Sequence, residues 1–364
     1  MWTEDDIKFM REALVLAKSA EGRTTPDPMV GAVLVKDGRI ISMGYHGEVA
    51  TPHAEAWAIQ KASENPKGAT LYLNLEPCNH YGNNPPCTEA IINAGVKKVI
   101  AAMKDPNPLV NGRGFAKLKN HGVEVEVGLL EDEANKLNEV FKTYITKKRP
   151  FIVMKTAMTI DGKIATKTGA SRWVASPSSL DFAHHLRNLY DAMVVGVDTV
   201  LVDDPKLNIR RGTVIKHPVR IVLDTHAKTP LSADIFSSPG GKTVIAVGPK
   251  APAKKVRALE KMGAEIISLP LSGKYVDVGA LVKKLAKMKI TSLLVEGGGE
   301  VNASFLAKKL VDKAHFVIVP KIFGGRDAKT PVEGEGIKLP AQAKWLKNVE
   351  IEKLGTDIIV TGYF

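Results

Sequence analysis

His53-Ala54-Glu55 stands just upstream of the only two cysteines, Cys78 in Leu75-Glu76-Pro77-Cys78 and Cys87 after eight intervening residues. Two thiolates and an imidazole make three ligands for Zn²⁺ and leave the fourth tetrahedral position to water, the arrangement of a catalytic rather than a structural site. Glu55, on a helix starting at His53, cannot easily share the metal with the neighbouring ring. It can lie against the metal's water and pass its proton to a leaving group. Zinc deaminases carry His-x-Glu followed by Pro-Cys-x-x-Cys. Here the second spacing is eight residues, which fits if residues 79–86, with Gly82, Pro85 and Pro86, fold outward as a loop. Two blander readings compete: a closed structural zinc with His80 as fourth ligand, and two unrelated buried cysteines beside a core histidine.

The second half offers different chemistry. No Gly-x-Gly-x-x-Gly follows a strand there, so a Rossmann dinucleotide site is not supported. Leu293-Leu294-Val295-Glu296 instead runs into Gly297-Gly298-Gly299 and a helix from Asn302. Glycines at such a turn let backbone amides approach a pyrophosphate at a positive helix end, though a plain tight connection would look the same. Asp203-Asp204-Pro205 places two carboxylates in a loop, with Arg187 and Arg210 on either side in sequence. An arginine's planar fork suits a sugar phosphate. From the residues alone Arg187 would be a surface ion pair, and Lys155 either holds a substrate or packs near a domain seam.

The elements that must position these residues read as two α/β patterns. Apolar residues at helical spacing over 4–21 make an amphipathic first helix; 30–35 and 39–44 pair as a hairpin about Asp37-Gly38. Helices at 53–62, 88–94 and 114–120 then alternate with strands at 69–75, 98–103 and 123–127, implying a mostly parallel sheet covered on both faces. A helix over 130–146 stops at Lys147-Lys148-Arg149-Pro150, which places the domain boundary between 1–147 and 150–364. The second pattern has strands at 151–156, 192–196, 219–223, 243–247, 265–268, 292–296 and 313–319, a closing stretch 357–364, and helices at 178–189, 253–262, 278–287 and 302–309. No internal repeat or low-complexity segment interrupts it.

With 364 residues, 44% apolar and 25% charged, the chain suits two globular domains and not a disordered or fibrous protein. No apolar run is long enough for a membrane helix, and acids stand near the start where a secretory signal would be basic, so a cytoplasmic protein is expected. Two cysteines are too few for a secreted disulfide scaffold. The net charge of +12 is uneven: residues 1–147 carry 17 basic against 19 acidic side chains, leaving 34 against 20 for the rest. A basic second half fits a dinucleotide, a sugar phosphate or RNA. A nucleic-acid-editing deaminase would need stacking aromatics in that surface, and aromatics are only 6% of the chain.

These residues resemble the bifunctional riboflavin biosynthesis deaminase-reductase family over nearly the whole chain. Pro26-Asp27-Pro28-Met29-Val30-Gly31-Ala32, Pro52-His53-Ala54-Glu55, Glu76-Pro77-Cys78-Asn79-His80-Tyr81-Gly82, Pro85-Pro86-Cys87-Thr88 and Asp105-Pro106-Asn107-Pro108 are similar to its deaminase half. Lys155 to Ala165, Ser171-Arg172-Trp173, Leu186-Arg187, Thr199 to Pro205 and Val295-Glu296-Gly297-Gly298 are similar to its reductase half. The resemblance implies a cytidine-deaminase-like three-layer α/β/α fold followed by a dihydrofolate-reductase-like α/β fold. It implies that zinc on His53, Cys78 and Cys87, with Glu55 as proton shuttle, serves hydrolytic deamination of 2,5-diamino-6-ribosylamino-4(3H)-pyrimidinone 5′-phosphate. NADPH would then reduce the ribosyl chain of the product to ribityl.

By the same resemblance Asp27, His46 and His80 touch the first substrate, and Lys155, Ser171, Arg187, Leu207, Arg210 and Glu296 the second. Asp203 sits at the reduction centre, and Ala157, Trp173, Thr199, Thr225, Gly298, Gly299, Glu300, Val301, Asn302, Ala303 and Ser304 contact the cofactor. A homo-oligomer, a dimer or tetramer, is expected, with small phosphorylated pyrimidines as ligands and neither nucleic acid nor membrane as partner. Four positions depart from the family: Asp27 replaces its usual Asn, Asn83 and Asn84 replace a basic residue and Thr, and Ala50 replaces Gly. Asp27 can accept from exocyclic amines but cannot donate unless protonated, so an altered specificity or a single-activity chain is the competing expectation.

Overall fold

The computed structural model describes residues 1–82, 84–171 and 174–364; Asn83, Arg172 and Trp173, the last an expected cofactor contact, lie outside the described residues. The chain divides into two compact units, Met1–Lys148 and Arg149–Phe364. Among the described residues no helix is long and apolar enough to cross a membrane.

In the first unit, helix Glu4–Lys18 begins at a reciprocal cap: Thr3 Oγ1 accepts the Asp6 N–H at 3.1 Å, and the Asp6 carboxylate accepts the Thr3 N–H at 2.9 Å. Strands Gly31–Lys36 and Arg39–Tyr45 form the expected hairpin, with Asp37 and Gly38 at positive φ of 48° and 73°. The five-stranded sheet runs Arg39–Tyr45, Gly31–Lys36, Thr70–Leu73, Lys98–Ala101, Glu124–Val127. Four of the five run in one direction, and Gly31–Lys36 alone runs against them, pairing antiparallel with Arg39–Tyr45 on one side and Thr70–Leu73 on the other. The sheet is mostly parallel as expected, with Gly31–Lys36 as its one reversed strand. Helix Ala54–Gln60 crosses over between two strands of the same direction, and the first hairpin strand lies between them running the other way.

Helices Glu4–Lys18 and Glu131–Leu137 cover one face of this sheet around Met10, Ala13 and Ala134. Helices Ala54–Gln60, Cys87–Asn93 and Arg113–Asn120 cover the other around Ala58, Ile91, Leu71 and Leu118. Each fully buried leucine contributes roughly 1.5–3 kcal/mol from its removal from water, so the two faces hold the site's elements in fixed layers. The single helix expected over 130–146 is two, Glu131–Leu137 and Glu139–Lys147. The break is at Asn138, whose buried side chain bonds another segment.

The second unit is built on a nine-stranded sheet ordered Glu265–Ser268, Thr243–Val247, Val219–Leu223, Ala192–Gly196, Ser292–Val295, Phe151–Thr159, Lys313–Val319, Asp357–Tyr363, Lys347–Leu354. The first seven are parallel, and the last two are added antiparallel at one edge. Its central strands are continuous apolar runs, as in Met193-Val194-Val195 and Leu293-Leu294-Val295, because helices cover both faces. Three expectations change. Asp203 ends a helix, Val197–Asp203, and is not in a loop. The helix placed from Asn302 starts at Gly299, because Gly298 in extended conformation already serves as its N-cap. Strand Lys347–Leu354, unforeseen, forms the sheet edge.

Candidate functional site

In the first unit His53 is the N-cap of helix Ala54–Gln60, Cys87 opens helix Cys87–Asn93, and Cys78 follows the end of strand Thr70–Leu73. Their ligand atoms lie within 4.8 Å of one another. His53 Nδ1 is 3.1 Å from Cys87 Sγ and 3.5 Å from Cys78 Sγ, and the Cys87 N–H donates to Cys78 Sγ at 3.3 Å. The intervening loop folds outward as expected, Tyr81 being 74% exposed, while the Thr88 N–H returns to the Cys78 carbonyl at 3.2 Å. Glu76 anchors the cysteine from the other side. Its buried carboxylate accepts the N–H groups of Asp105, Gly112 and Gly114 at 3.2, 2.8 and 3.0 Å. Gly114 must be glycine, since a Cβ there would stand 2.2 Å from the Pro77 carbonyl oxygen.

The electrostatics suit a metal. Hydrogen bonding with Cys87 pulls the Cys78 thiol down to about 4, against the effect of burial and with help from His53. The same pairing, with burial and the nearby Glu55, pushes Cys87 up. A divalent cation held by all three side chains would take both sulfurs as thiolates, displacing any proton they share. Glu55 is 3% exposed, and burial pushes its carboxyl up, the direction a proton carrier needs. Metal analysis of the purified protein is expected to give about one zinc per chain, lost on replacing His53, Cys78 or Cys87 by Ala. A zinc-free protein after careful preparation would remove the metal reading.

A cavity of about 340 Å³ opens over this trio. Its wall includes Asp27, His46, His53, Glu55, Cys78 and His80, so the deaminase-half residues singled out in the sequence come together, with Cys87 buried beside them. His80 belongs to the wall and, among the described residues, not to the metal cluster. His46 Nε2 is 3.4 Å from Asp27 Oδ2 without hydrogen-bond alignment, and the His46 and His53 rings meet edge to face at 5.3 Å. Asn84 also lines the cavity and donates to the Thr51 carbonyl at 3.0 Å. Among the wall residues not named as site residues from the sequence are Asp105, Asn107 and Phe141. The turn chemistry of Asp105-Pro106-Asn107 was a usable signal, while Phe141 gave none. Burial raises Asp105 to about 6.

In the second unit Glu296 follows strand Ser292–Val295, and the register Val295 to Met154 sets it level with Lys155. Arg187 grips one Glu296 oxygen twice, through Nε at 2.9 Å and Nη2 at 2.6 Å; Lys155 Nζ is 3.6 Å from the other. Arg187 also donates to the Asn208 carbonyl at 3.3 Å, and Arg210 to Asn208 Oδ1 at 2.6 Å, which brings the Leu207–Arg210 segment to the same cluster. Leu207 is buried at φ +48°. Arg187 is thus the half-buried partner of a buried Glu296 carboxylate, not the surface ion pair its helix alone suggests. Ser171 donates a short hydrogen bond to Asp203. Ala157 lies on the central strand and Thr199 on helix Val197–Asp203, while Thr225, just past strand Val219–Leu223, accepts the Val276 N–H at 3.1 Å.

Helix Gly299–Ala307 carries Glu300, Val301, Asn302, Ala303 and Ser304, with no side chain capping its N-terminus. Asn302 is fully buried with Oδ1 unpartnered, and a Cβ on Gly299 would lie 2.5 Å from the Thr330 carbonyl oxygen. Gly299 is thus closed by the Thr330–Glu333 segment, while a Cβ on Gly298 would meet nothing within 4 Å, and this uncapped, open helix N-terminus suits an anion such as a pyrophosphate. These groups gather at the carboxyl ends of parallel strands, where open α/β sheets bind ligands.

The two units match two known families. Residues 3–103 match the cytidine and deoxycytidylate deaminase zinc-binding region, and residues 150–360 match the RibD C-terminal domain. The chain is 43% identical over 360 residues to the riboflavin biosynthesis protein RibD of Aquifex aeolicus, covering 99% of each. It is 35% identical to that of Escherichia coli, covering 97% of this chain and 98% of the other. Among solved structures it is similar to Acinetobacter baumannii RibD, with TM-score 0.88, 34% identity and 99% of each chain covered. A diaminohydroxyphosphoribosylaminopyrimidine deaminase/5-amino-6-(5-phosphoribosylamino)uracil reductase from Thermotoga maritima matches with TM-score 0.86 and 37% identity over 99% of this chain and 98% of that one.

Proposed function

Because the chain belongs to the RibD family and is a bifunctional deaminase and reductase of riboflavin biosynthesis, we propose that unit Met1–Lys148 carries the deamination and unit Arg149–Phe364 the reduction. The observation that carries the reading is the meeting of His53, Cys78, Cys87 and a buried Glu55 on one cavity. Bound to the three ligands, zinc supplies Lewis acidity toward water. Glu55 takes the proton of the attacking water and returns it to the departing exocyclic amino nitrogen, so water adds to the ring carbon, the exocyclic carbon–nitrogen bond breaks and ammonia leaves. Asp27, His46 and His80 in the wall hold 2,5-diamino-6-ribosylamino-4(3H)-pyrimidinone 5′-phosphate, with Asp27 accepting from its exocyclic amines.

In the second unit Lys155, Ser171, Arg187, Leu207, Arg210 and Glu296 hold 5-amino-6-(5-phosphoribosylamino)uracil, and Asp203 stands at its ribosyl carbon. NADPH, when bound along Gly298 to Ser304, supplies the hydride. The basic excess of this half favours NADPH over NADH, since the extra phosphate adds charge for Lys or Arg to meet. The cytoplasm, where free thiols stay reduced, suits the two unpaired cysteines. A homo-oligomer is supported by the exposed apolar side chains Val349, Ile351 and Ile358 at the sheet edge.

Mass spectrometry of products from the phosphorylated diaminopyrimidinone tests the whole scheme. Without NADPH the deaminated uracil is expected, and with NADPH its ribityl form, at a higher rate than with NADH at low concentration. Equal rates with the two nucleotides would sink the charge argument. An unchanged substrate would sink the deaminase assignment.

A further inference from the structure

We infer that Asn138 is a positioning residue of the deaminase cavity: its side-chain amide fixes the backbone of Met29 and thereby sets where Asp27 stands. Asn138 interrupts what periodicity makes one helix, and it is 2% exposed. A buried amide is tolerable only with its polar atoms paired. Here both go to one residue, Oδ1 accepting the Met29 N–H and Nδ2 donating to the Met29 carbonyl, each at 2.9 Å. This two-point bond also fixes which end of the amide is oxygen. Asn74, fully buried, holds the same stretch from the sheet, donating to the Met29 carbonyl at 2.9 Å and accepting the Gly31 N–H at 2.8 Å.

The stapled stretch leads directly into the cavity. Asp27, Pro28 and Val30 line it, and the Val30 carbonyl accepts the His46 N–H at 2.9 Å, so the same backbone carries a second wall residue. Asn138 itself is not in the wall. His53, Glu55, Cys78 and Cys87 reside on other elements, so loosening Met29 displaces the Asp27 side of the cavity and leaves the metal side in place. The inference rests on Asp27 being a substrate contact, as proposed above.

The test uses the zinc-loaded full chain and measures kcat and KM for deamination, zinc content and, as an internal control, reduction of the deaminated product. Asn138→Ala is expected to raise KM about tenfold, with kcat within about threefold, zinc retained and reduction unchanged. Asn138→Asp keeps the acceptor but turns a carboxylate oxygen toward the Met29 carbonyl, and should raise KM as much. In an Asp27→Ala background, Asn138→Ala should add less than about threefold, because the two act through one contact. An unchanged KM, full additivity with Asp27→Ala, or loss of zinc in both Asn138 variants would overturn the positioning role. If Asp27→Ala alone leaves KM unchanged, the substrate role of Asp27 fails, and the inference with it. An Asp27→Ala effect that persists undiminished beside an inert Asn138→Ala would sink the inference alone.

Discussion

Replacing Glu55 by Gln is expected to slow deamination by at least ~10²-fold, the usual contribution of a positioned acid-base group. The amide is nearly the same size as the carboxyl, so the site, where Glu55 is buried beside the metal ligands, should keep its shape. The three zinc ligands are untouched, and the variant should hold as much zinc as the parent. What disappears is the group able to take a proton and return it. The upward push that burial gives this carboxyl serves both directions of the transfer, because a very acidic carboxylate would be a poor base. Reduction of pre-deaminated substrate should be unaffected. Near-normal deamination by a zinc-loaded Glu55→Gln protein would assign the proton transfer to another residue.

The second large effect is expected at Arg187→Met in the reductase unit. Glu296 has a side chain only 6% exposed, and Arg187 supplies its two short hydrogen bonds. Burial alone would push this carboxyl up, but Arg187 and then Lys155 outweigh it and hold it below the usual carboxylate range. Removing Arg187 leaves a buried carboxylate with only Lys155, at 3.6 Å. Breaking a buried pair costs roughly 3–5 kcal/mol, and the remaining lysine puts the loss at the lower end. The pH dependence follows from the sign. A carboxyl whose folded pKa is depressed contributes stability above its unfolded value of about 4.3, and that stability is lost as pH falls through the folded pKa. In Arg187→Met that contribution shrinks or reverses. Chemical denaturation at pH 7 and near pH 4 should therefore show a large gap between parent and variant at neutral pH, narrowing in acid. Equal stability at pH 7 would contradict the buried-pair account.

The parts of the site readable from the chain are those that chemistry restricts to few residue types at short spacing. His53, Glu55, Cys78 and Cys87 are of this kind, because zinc accepts little else and the spacing limits how they can meet. Asp105 and Asn107 carry a local turn signal but no sign of where it leads, while Phe141 and Asn138 reach the cavity or its supports only through tertiary structure, and nothing local marks them. Helix Val197–Asp203 was hidden because Val-Asp-Thr-Val-Leu-Val-Asp is rich in β-branched residues, which propensity reads against helix. Strand Lys347–Leu354 was hidden because nearly every side chain in it is exposed, leaving no buried face to give alternation its meaning. The insertion of Gly31–Lys36 between Arg39–Tyr45 and Thr70–Leu73 depends on a crossover, which periodicity does not encode.

The order of strands in the second sheet has a consequence during synthesis. Phe151–Thr159, the first strand made in that unit, lies between Ser292–Val295 and Lys313–Val319, the first of which begins more than 130 residues later in the chain. It cannot be flanked on either side until nearly the whole polypeptide has left the ribosome. The first unit, by contrast, is complete at Lys148. At ordinary elongation rates of about 5–20 residues per second, roughly 7 to 34 s separate the two events. The metal-binding half can thus form while an apolar strand with no neighbours trails behind it, making the nascent reductase the stretch of this protein most in need of protection from aggregation.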